Sequence, residues 1–200
     1  MKTRRRPRLK FETKRFIIRP YLASDYITWR RAYENMLPKQ SEFDDDKKSE
    51  RELSRVEFRK LLRKYSDWRK TERILFLGVF EKKTGRLIGY TLISLIERFN
   101  VQSARIAYFI FNNYWKHGFG KEATLGTIDF AFRKLKLHRI EAEIQPHNRA
   151  SVGLVNSLGF QFEGLRRKAV YFNRAWHDHV IYALIADDLG IKNTKPIFYS

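Results

Sequence analysis

From Ile106 to Ala123 the chain reads IAYFIFNNYWKHGFGKEA, an apolar strand that enters a glycine-bearing loop and then a helix. The loop is Lys116-His117-Gly118-Phe119-Gly120-Lys121. Backbone N–H groups at a helix start form an anion cradle, and the helix dipole adds to it. Glycines let a phosphate approach the backbone closely, while Lys116 and Lys121 bring positive charge. The chemistry expected of this segment is the holding of a phosphate or pyrophosphate group. The segment is neither a Walker loop, for want of Gly-Lys-Ser/Thr, nor a complete dinucleotide fingerprint. Taken alone, Gly-x-Gly also occurs in plain turns.

Other reactive residue types are sparse. His177 and His179 alternate along one strand face, but no third histidine is near and the chain has no cysteine, so no metal site is expected. The lack of cysteine also excludes disulfides, thiolate ligands and cysteine nucleophiles. No nucleophile elbow is present for Ser-His-Asp hydrolysis. Asp44-Asp45-Asp46 sits in a polar stretch and reads as a solvated loop.

The elements that must position the glycine loop can be read from periodicity. Lys14 to Pro20 is a short strand ended by proline. Ser24 caps a helix carrying Tyr26, Trp29 and Tyr33, and a longer helix starts near Ser49 with an apolar arc of Leu53, Val56, Leu61, Leu62, Tyr65 and Trp68. Strands follow at Ile74–Phe80, Leu87–Ile96 and Ala104–Phe111, with connections short enough for antiparallel neighbours. A helix runs from about Gly120 to Leu135, and His138 to Ile144 is a strand of alternating apolar and charged residues. Asn148 caps a short helix that ends at Leu158-Gly159-Phe160. Two last strands, about Gln161–Val170 and His177–Ile185, flank a turn at Asn173-Arg174. The order is an α/β fold with a mixed sheet of about seven strands and four helices. Residues 11–190 form the domain, with a basic tail at 1–10 and a short tail at 191–200.

Lys and Arg number 41 against 22 Asp and Glu, a formal net charge of +19. A hydrophobic share of 43% with 15% aromatic residues is too apolar for a disordered basic chain. The balance implies a folded domain whose surface favours polyanions. No apolar run approaches the ~18 residues that span a bilayer, and no apolar signal core follows the basic N-terminus, so a cytoplasmic setting is expected.

The succession of Thr13 to Pro20 (TKRFIIRP), Tyr114 to Ala123 (YWKHGFGKEA), Pro146 to Phe160 (PHNRASVGLVNSLGF) and Trp176 to Leu184 (WHDHVIYAL) resembles the GNAT superfamily of acyl-CoA-dependent N-acyltransferases. The resemblance spans roughly Thr13 to Leu189. It is nearest to the bacterial ribosomal-protein alanine N-acetyltransferases of RimJ/RimL type. It implies a splayed sheet with acetyl-CoA as co-substrate. The backbone of Phe109, Ile110 and Phe111 would meet the pantetheine arm, and amides of Lys116, His117, Gly118, Phe119, Gly120 and Lys121 would hold the pyrophosphate. Asn148 would bond the pantetheine region. The first position of the loop pattern, usually Gln or Arg, is Trp115.

The family often carries a tyrosine in the helix after Asn148; the matching residue is Val155. Ser151 is the best substitute donor to the leaving thiolate, with a helix-capping serine as the other reading. Glu143 matches the place where some family members carry a base, and reads equally as a solvated carboxylate on a strand face. The acceptor implied is a protein N-terminus, that of a ribosomal protein. The alternatives are a small-molecule amine, or a ribosome- or RNA-docking role without catalysis. The basic tail and surface would contact the ribosome.

Overall fold

The computed structural model describes residues 9–71 and 73–192, and the side chains of 95 and 96 lie outside the description. Most of the basic tail, residues 1–8, and most of the C-terminal tail, residues 193–200, therefore fall outside it. At both ends the domain extends past the boundaries read from sequence. Leu9 packs against the core, as does Ile191, whose N–H donates to the Ala186 carbonyl at 3.0 Å.

Eight strands form one sheet, in chain order β1 Phe11–Glu12, β2 Phe16–Arg19, β3 Ile74–Glu81, β4 Leu87–Glu97, β5 Ser103–Ile110, β6 Arg139–Ile144, β7 Gln161–Phe172 and β8 Ala175–Ile185. Their spatial order is β1-β2-β3-β4-β5-β6-β8-β7. The eighth strand is β1, two residues long, which pairs Phe11 with Ile18. Two residues carry no periodicity, which is why the sequence count stops at about seven. All neighbours are antiparallel except β5 and β6.

Four α-helices cover the sheet: α1 Tyr26–Glu34, α2 Arg55–Lys70, α3 Phe119–Arg133 and α4 Arg149–Ser157. The first two bury Tyr26, Trp29, Tyr33 and Phe58 on one face, against Phe80, Leu87 and Phe111. The latter two bury Ile128, Ala131 and Val155 on the opposite face, against Ile140, Ala142 and Ile144.

Two helix starts differ from the sequence reading. A turn of 3-10 helix at Ala23–Asp25 precedes α1, so Asp25 rather than Ser24 stands at its N-cap. The Asp25 carboxylate accepts from the Leu22 N–H at 2.7 Å and from the Arg19 guanidinium at 2.7 and 2.9 Å. The second helix begins at Ser54, not near Ser49. Both serines head a Ser-x-x-Glu pattern, the signature of a capping box. At Ser49 the box closes a turn alone, with Glu52 accepting from the Ser49 N–H and hydroxyl at 2.8 and 2.7 Å. At Ser54 the hydroxyl accepts from Glu57 N–H and the helix follows. Val56, placed on the apolar arc by spacing, is 57% exposed.

The feature that makes room for a site is the β5–β6 junction. These strands pair at three positions only: Ser103 with Arg139, Ala104 with Ile140 and Arg105 with Glu141. Both continue, to Ile110 and to Ile144, without further pairing. The sheet is thus split from Ile106 onward. Among the described residues no helix is long and apolar enough to cross a membrane.

Candidate active site

The glycine loop lies at the mouth of the split. Gly118 takes the N-cap of α3 in left-handed conformation, φ 69°, and Lys116 is also left-handed at φ 64°. The first bond inside the helix runs from Glu122 N–H to the Gly118 carbonyl at 3.2 Å. By helix geometry the amides of Phe119, Gly120 and Lys121 have no partner within the helix and converge at its open end. A Cβ built on Gly120 would touch only Ile110 Cγ1 at 3.6 Å and Leu154 Cδ1 at 4.0 Å, ordinary contacts. Packing therefore does not require a glycine at 120; what the missing side chain preserves is free space in front of the amides.

That space is a cavity of about 520 Å³ lined by Lys116, Gly118, Phe119, Gly120 and Lys121, together with Phe109, Ile110, Asn148, Ser151 and Leu154. A pyrophosphate fits the open helix end and its two lysines, and an extended arm fits the strand edge beyond it, so the residues present suit acetyl-CoA. Two residues named from sequence stand apart from the cavity. Phe111 is fully buried, packed edge-on to Tyr33 at 5.0 Å, and its N–H donates to the Ile88 carbonyl at 3.0 Å. Strand groups alternate sides, so the groups facing the split belong to Ile106, Tyr108 and Ile110 rather than to Phe109 and Phe111. The Ile110 carbonyl is already taken by the Trp115 indole N–H at 2.7 Å. His117 turns outward, with Nδ1 2.6 Å from the Trp115 carbonyl.

Arg15, with no signal in the sequence, braces the loop from outside. Its Nη1 donates to the His117 carbonyl at 3.0 Å and its Nη2 to the Gly118 carbonyl at 3.3 Å, while the guanidinium lies over the Phe119 ring at 4.6 Å. Glu122 anchors it, accepting from the Arg15 N–H and the Thr13 hydroxyl, each at 2.6 Å, and from Arg15 Nε. Burial pushes the Glu122 carboxyl up, but these hydrogen bonds and the guanidinium charge outweigh it and hold it below the usual carboxylate range.

A second cavity of about 210 Å³ continues into the split. It shares Phe43, Tyr108, Asn148 and Ser151 with the first and adds Glu143, Gln145 and His179. Ser151 therefore stands at the junction. It is not the cap of α4: Asn148 Oδ1 caps the helix by accepting from Ser151 N–H at 3.1 Å. Tyr108, overlooked in the sequence, donates its hydroxyl to the Ser151 carbonyl at 3.2 Å, and burial pushes its phenol up to about 12. Its parity with Ile106 and Ile110 on the strand was the available clue.

Glu143 is neither solvated nor free. Its side chain is 10% exposed, and each oxygen holds a guanidinium: Arg105 Nη1 at 3.0 Å and Arg166 Nη1 at 2.9 Å. Accepting a proton there would break an ion-paired hydrogen bond. The acidic loop also departs from its solvated reading. Asp44 is 5% exposed and accepts from Gln40 N–H at 2.9 Å and from Asn112 Nδ2 at 3.2 Å. Asn112 also exchanges hydrogen bonds with the Leu37 N–H and carbonyl, at 2.8 and 3.0 Å. The loop is thereby tied to the end of β5, which places Phe43 as a wall of both cavities. Asp45 accepts from the Tyr90 hydroxyl at 3.3 Å, and burial pushes its carboxyl up.

Comparison with known proteins gives a consistent picture. The family described as acetyltransferase (GNAT) domain matches residues 15–161. The chain is 35% identical over 130 residues to "Probable N-acetyltransferase YjcK" of Bacillus subtilis, covering 65% of this chain and 72% of that protein. It is 28% identical over 123 residues to ribosomal protein uS5-alanine N-acetyltransferase of Escherichia coli, covering 62% and 63%. A match to the uncharacterized N-acetyltransferase p20 of Bacillus licheniformis covers 50% of that protein, so the chain spans between half and about 72% of these relatives' lengths. Among solved structures, ribosomal-protein-S5-alanine acetyltransferase of Vibrio fischeri superposes with TM-score 0.72 at 27% identity, over 90% of this chain and 97% of that one. Mycobacterium smegmatis RimJ in complex with CoA-disulfide shares the fold with TM-score 0.73 at 23% identity, over 87% and 83%. With the split sheet, the glycine-capped helix and the family match all falling on the same stretch of chain, this protein belongs to the GNAT acetyltransferase family.

Proposed function

We propose that the chain transfers an acetyl group from acetyl-CoA to a primary amine, the α-amino group at the N-terminus of a protein, by direct attack without an acyl-enzyme. The observation that carries this is the meeting of two cavities at Ser151 and Tyr108, one reaching the open end of α3 and the other the far side of the split. A donor held along the first and an amine entering by the second would meet at that junction. Bound acetyl-CoA supplies the activated acetyl thioester. The amides of Phe119 to Lys121 hold the anionic end, and the free strand-edge groups of Ile106 and Tyr108 orient the arm. Ser151 supplies a hydroxyl where the sulfur must leave, the place in which negative charge develops.

The choice of an α-amine rests on chemistry and on relatives. An α-amino group has a reference pKa near ~8 against ~10.4 for lysine, so roughly a tenth of it is neutral at pH 7. A site in which Glu143 is engaged by two arginines suits the more easily deprotonated amine. A ribosomal protein as acceptor is supported by the names of the E. coli and V. fischeri relatives. The +19 charge supports docking on a ribosomal particle.

The test is acetylation of a panel of N-terminal peptides, lysine-bearing blocked peptides and polyamines with acetyl-CoA, read by mass. Acetyl at the α-amine of unblocked peptides is expected. Turnover confined to polyamines or blocked peptides would replace the acceptor.

A further inference from the structure

We infer that His179 is the catalytic base that takes the proton from the attacking amine. The inference rests on the acetyl-transfer reading and assigns a proton acceptor that Glu143 does not supply.

Both ring nitrogens of His179 are buried and have no hydrogen-bond partner. Unpaired buried polar groups are uncommon in folded proteins and call for a reason. Here the ring lines the 210 Å³ cavity together with Tyr108, Glu143 and Ser151. The sheet register accounts for its direction. Ile144 pairs with Val180 and Glu143 with Ile181, while Arg166 pairs with His179. Since side chains alternate, His179 shares the face of Glu143, opposite to that of Ala142 and Ile144, which pack toward α3 and α4. It thus approaches the junction from the side away from the pyrophosphate loop. The neighbouring His177 is already engaged: it stacks on Phe172 at 3.9 Å and its Nε2 lies 3.2 Å from the Phe172 carbonyl.

The surroundings keep the imidazole unprotonated. Burial is the main influence and pushes it down; Glu143 on β6 opposes this, while His177 on its own strand, Arg166 on β7 and Arg105 on β5 add to it. The result is below the ordinary histidine value. A neutral imidazole has one lone pair to offer. The amine's proton passes to that lone pair. The freed nitrogen pair forms the C–N bond to the acetyl carbonyl carbon, the C–S bond breaks, and its electron pair leaves on sulfur. The proton on His179 then returns to the sulfur or to solvent, and the Glu143 carboxylate moderates the transient imidazolium charge.

The experiment has two arms, both on the full chain. In the first, the histidine ring signals of the unliganded protein are titrated by NMR, with His179 assigned by its loss in His179→Gln. A midpoint below ~6.5 is expected; a midpoint at or above that value overturns the inference. In the second, kcat on an N-terminal peptide is followed against pH for wild type and His179→Gln, with CoA affinity measured by calorimetry. A general base contributes about 100-fold or more. We expect kcat to fall by about that factor, the acid limb to disappear and CoA affinity to stay unchanged. A variant that binds CoA and keeps both wild-type kcat and the acid limb overturns the base and leaves acetyl transfer standing. A wild-type chain that binds CoA but acetylates no amine overturns the acetyl-transfer reading, and the base with it.

Discussion

Arg15 and His117, more than a hundred residues apart in sequence, are joined by a hydrogen bond of 3.0 Å from Nη1 to the backbone carbonyl. The carbonyl is drawn outward, and so is that of Gly118, which leaves the amides that follow to face the cavity. Arg15→Met removes the donors and keeps most of the stem. Each charge-assisted bond is worth about 1.5–3 kcal/mol before solvent exposure reduces it. The expected outcome is a roughly tenfold weaker CoA affinity by calorimetry, with a fold intact by circular dichroism. Arg15→Lys should recover little, because a single ammonium cannot span two carbonyls and Glu122.

Gly120→Asp brings a carboxylate to the place where the pyrophosphate would lie. The Cβ itself meets no crowding, so the melting temperature should change little. CoA affinity should fall by about 100-fold or more. Equal affinity in calorimetry would detach the loop from phosphate binding.

Ser151→Ala tests the hydroxyl at the junction. Asn148 caps α4 through the Ser151 N–H, which alanine retains, so the helix should persist. A donor to the departing sulfur acts in the transition state; its loss lowers kcat by about tenfold or more with little change in KM. An unaltered kcat in steady-state assays would remove Ser151 from the chemistry.

Glu122 gives the stability a pH dependence of definite sign. Its carboxyl is held below the usual range in the folded chain, so the unfolded chain binds the proton more readily. The stabilisation is fully present above the ordinary glutamate value near ~4.3 and is lost as pH falls through the lower folded value. Thermal melts of wild type and Glu122→Gln should differ by about 2 kcal/mol at neutral pH. The two curves should converge in acid.

A chain lacking residues 1–8 should bind ribosomal particles less steeply in salt than the full chain, since each phosphate contact contributes up to about −0.9 to the log–log slope. Co-sedimentation across a salt series measures this, and acetylation of short peptides should be unchanged. Identical, salt-insensitive sedimentation of both forms would exclude the tail as a tether.

The parts of the fold legible in the sequence were those with strong local signals. The glycine loop, the Asn148 cap and the alternation in β6 each announce themselves within a few residues. What was not legible depends on chain segments meeting from afar. Arg15 is an ordinary basic residue until α3 brings Glu122 and two carbonyls to it. Glu143 reads as a solvated carboxylate because Arg105 and Arg166 come from other strands. The acidic loop reads as solvated because Asn112, which buries Asp44, lies beyond three intervening strands. The two Ser-x-x-Glu patterns are locally equivalent, and only the packing of Phe58 between Tyr26 and Trp29 selects the second as the start of α2.

The split between β5 and β6 also bears on how the molecule avoids unwanted partners. Unpaired strand edges invite other chains to add on. At one outer margin of the sheet stands β1, only two residues long. At the other, β7 loses register between Phe162 and Gly164 and again between Arg166 and Val170, with Arg166, Arg167 and Lys168 clustered at the second break. Both margins are poor templates for a neighbour. The strand edge that stays regular yet unpaired runs from Ile106 to Ile110, inside the domain, walled by Phe43 on the loop held by Asn112. A slender arm can lie against that edge, whereas a folded or fibrillar neighbour cannot reach it. Ligand capture and protection from aggregation therefore draw on the same property of a β-strand, turned inward for the one and suppressed at the margins for the other.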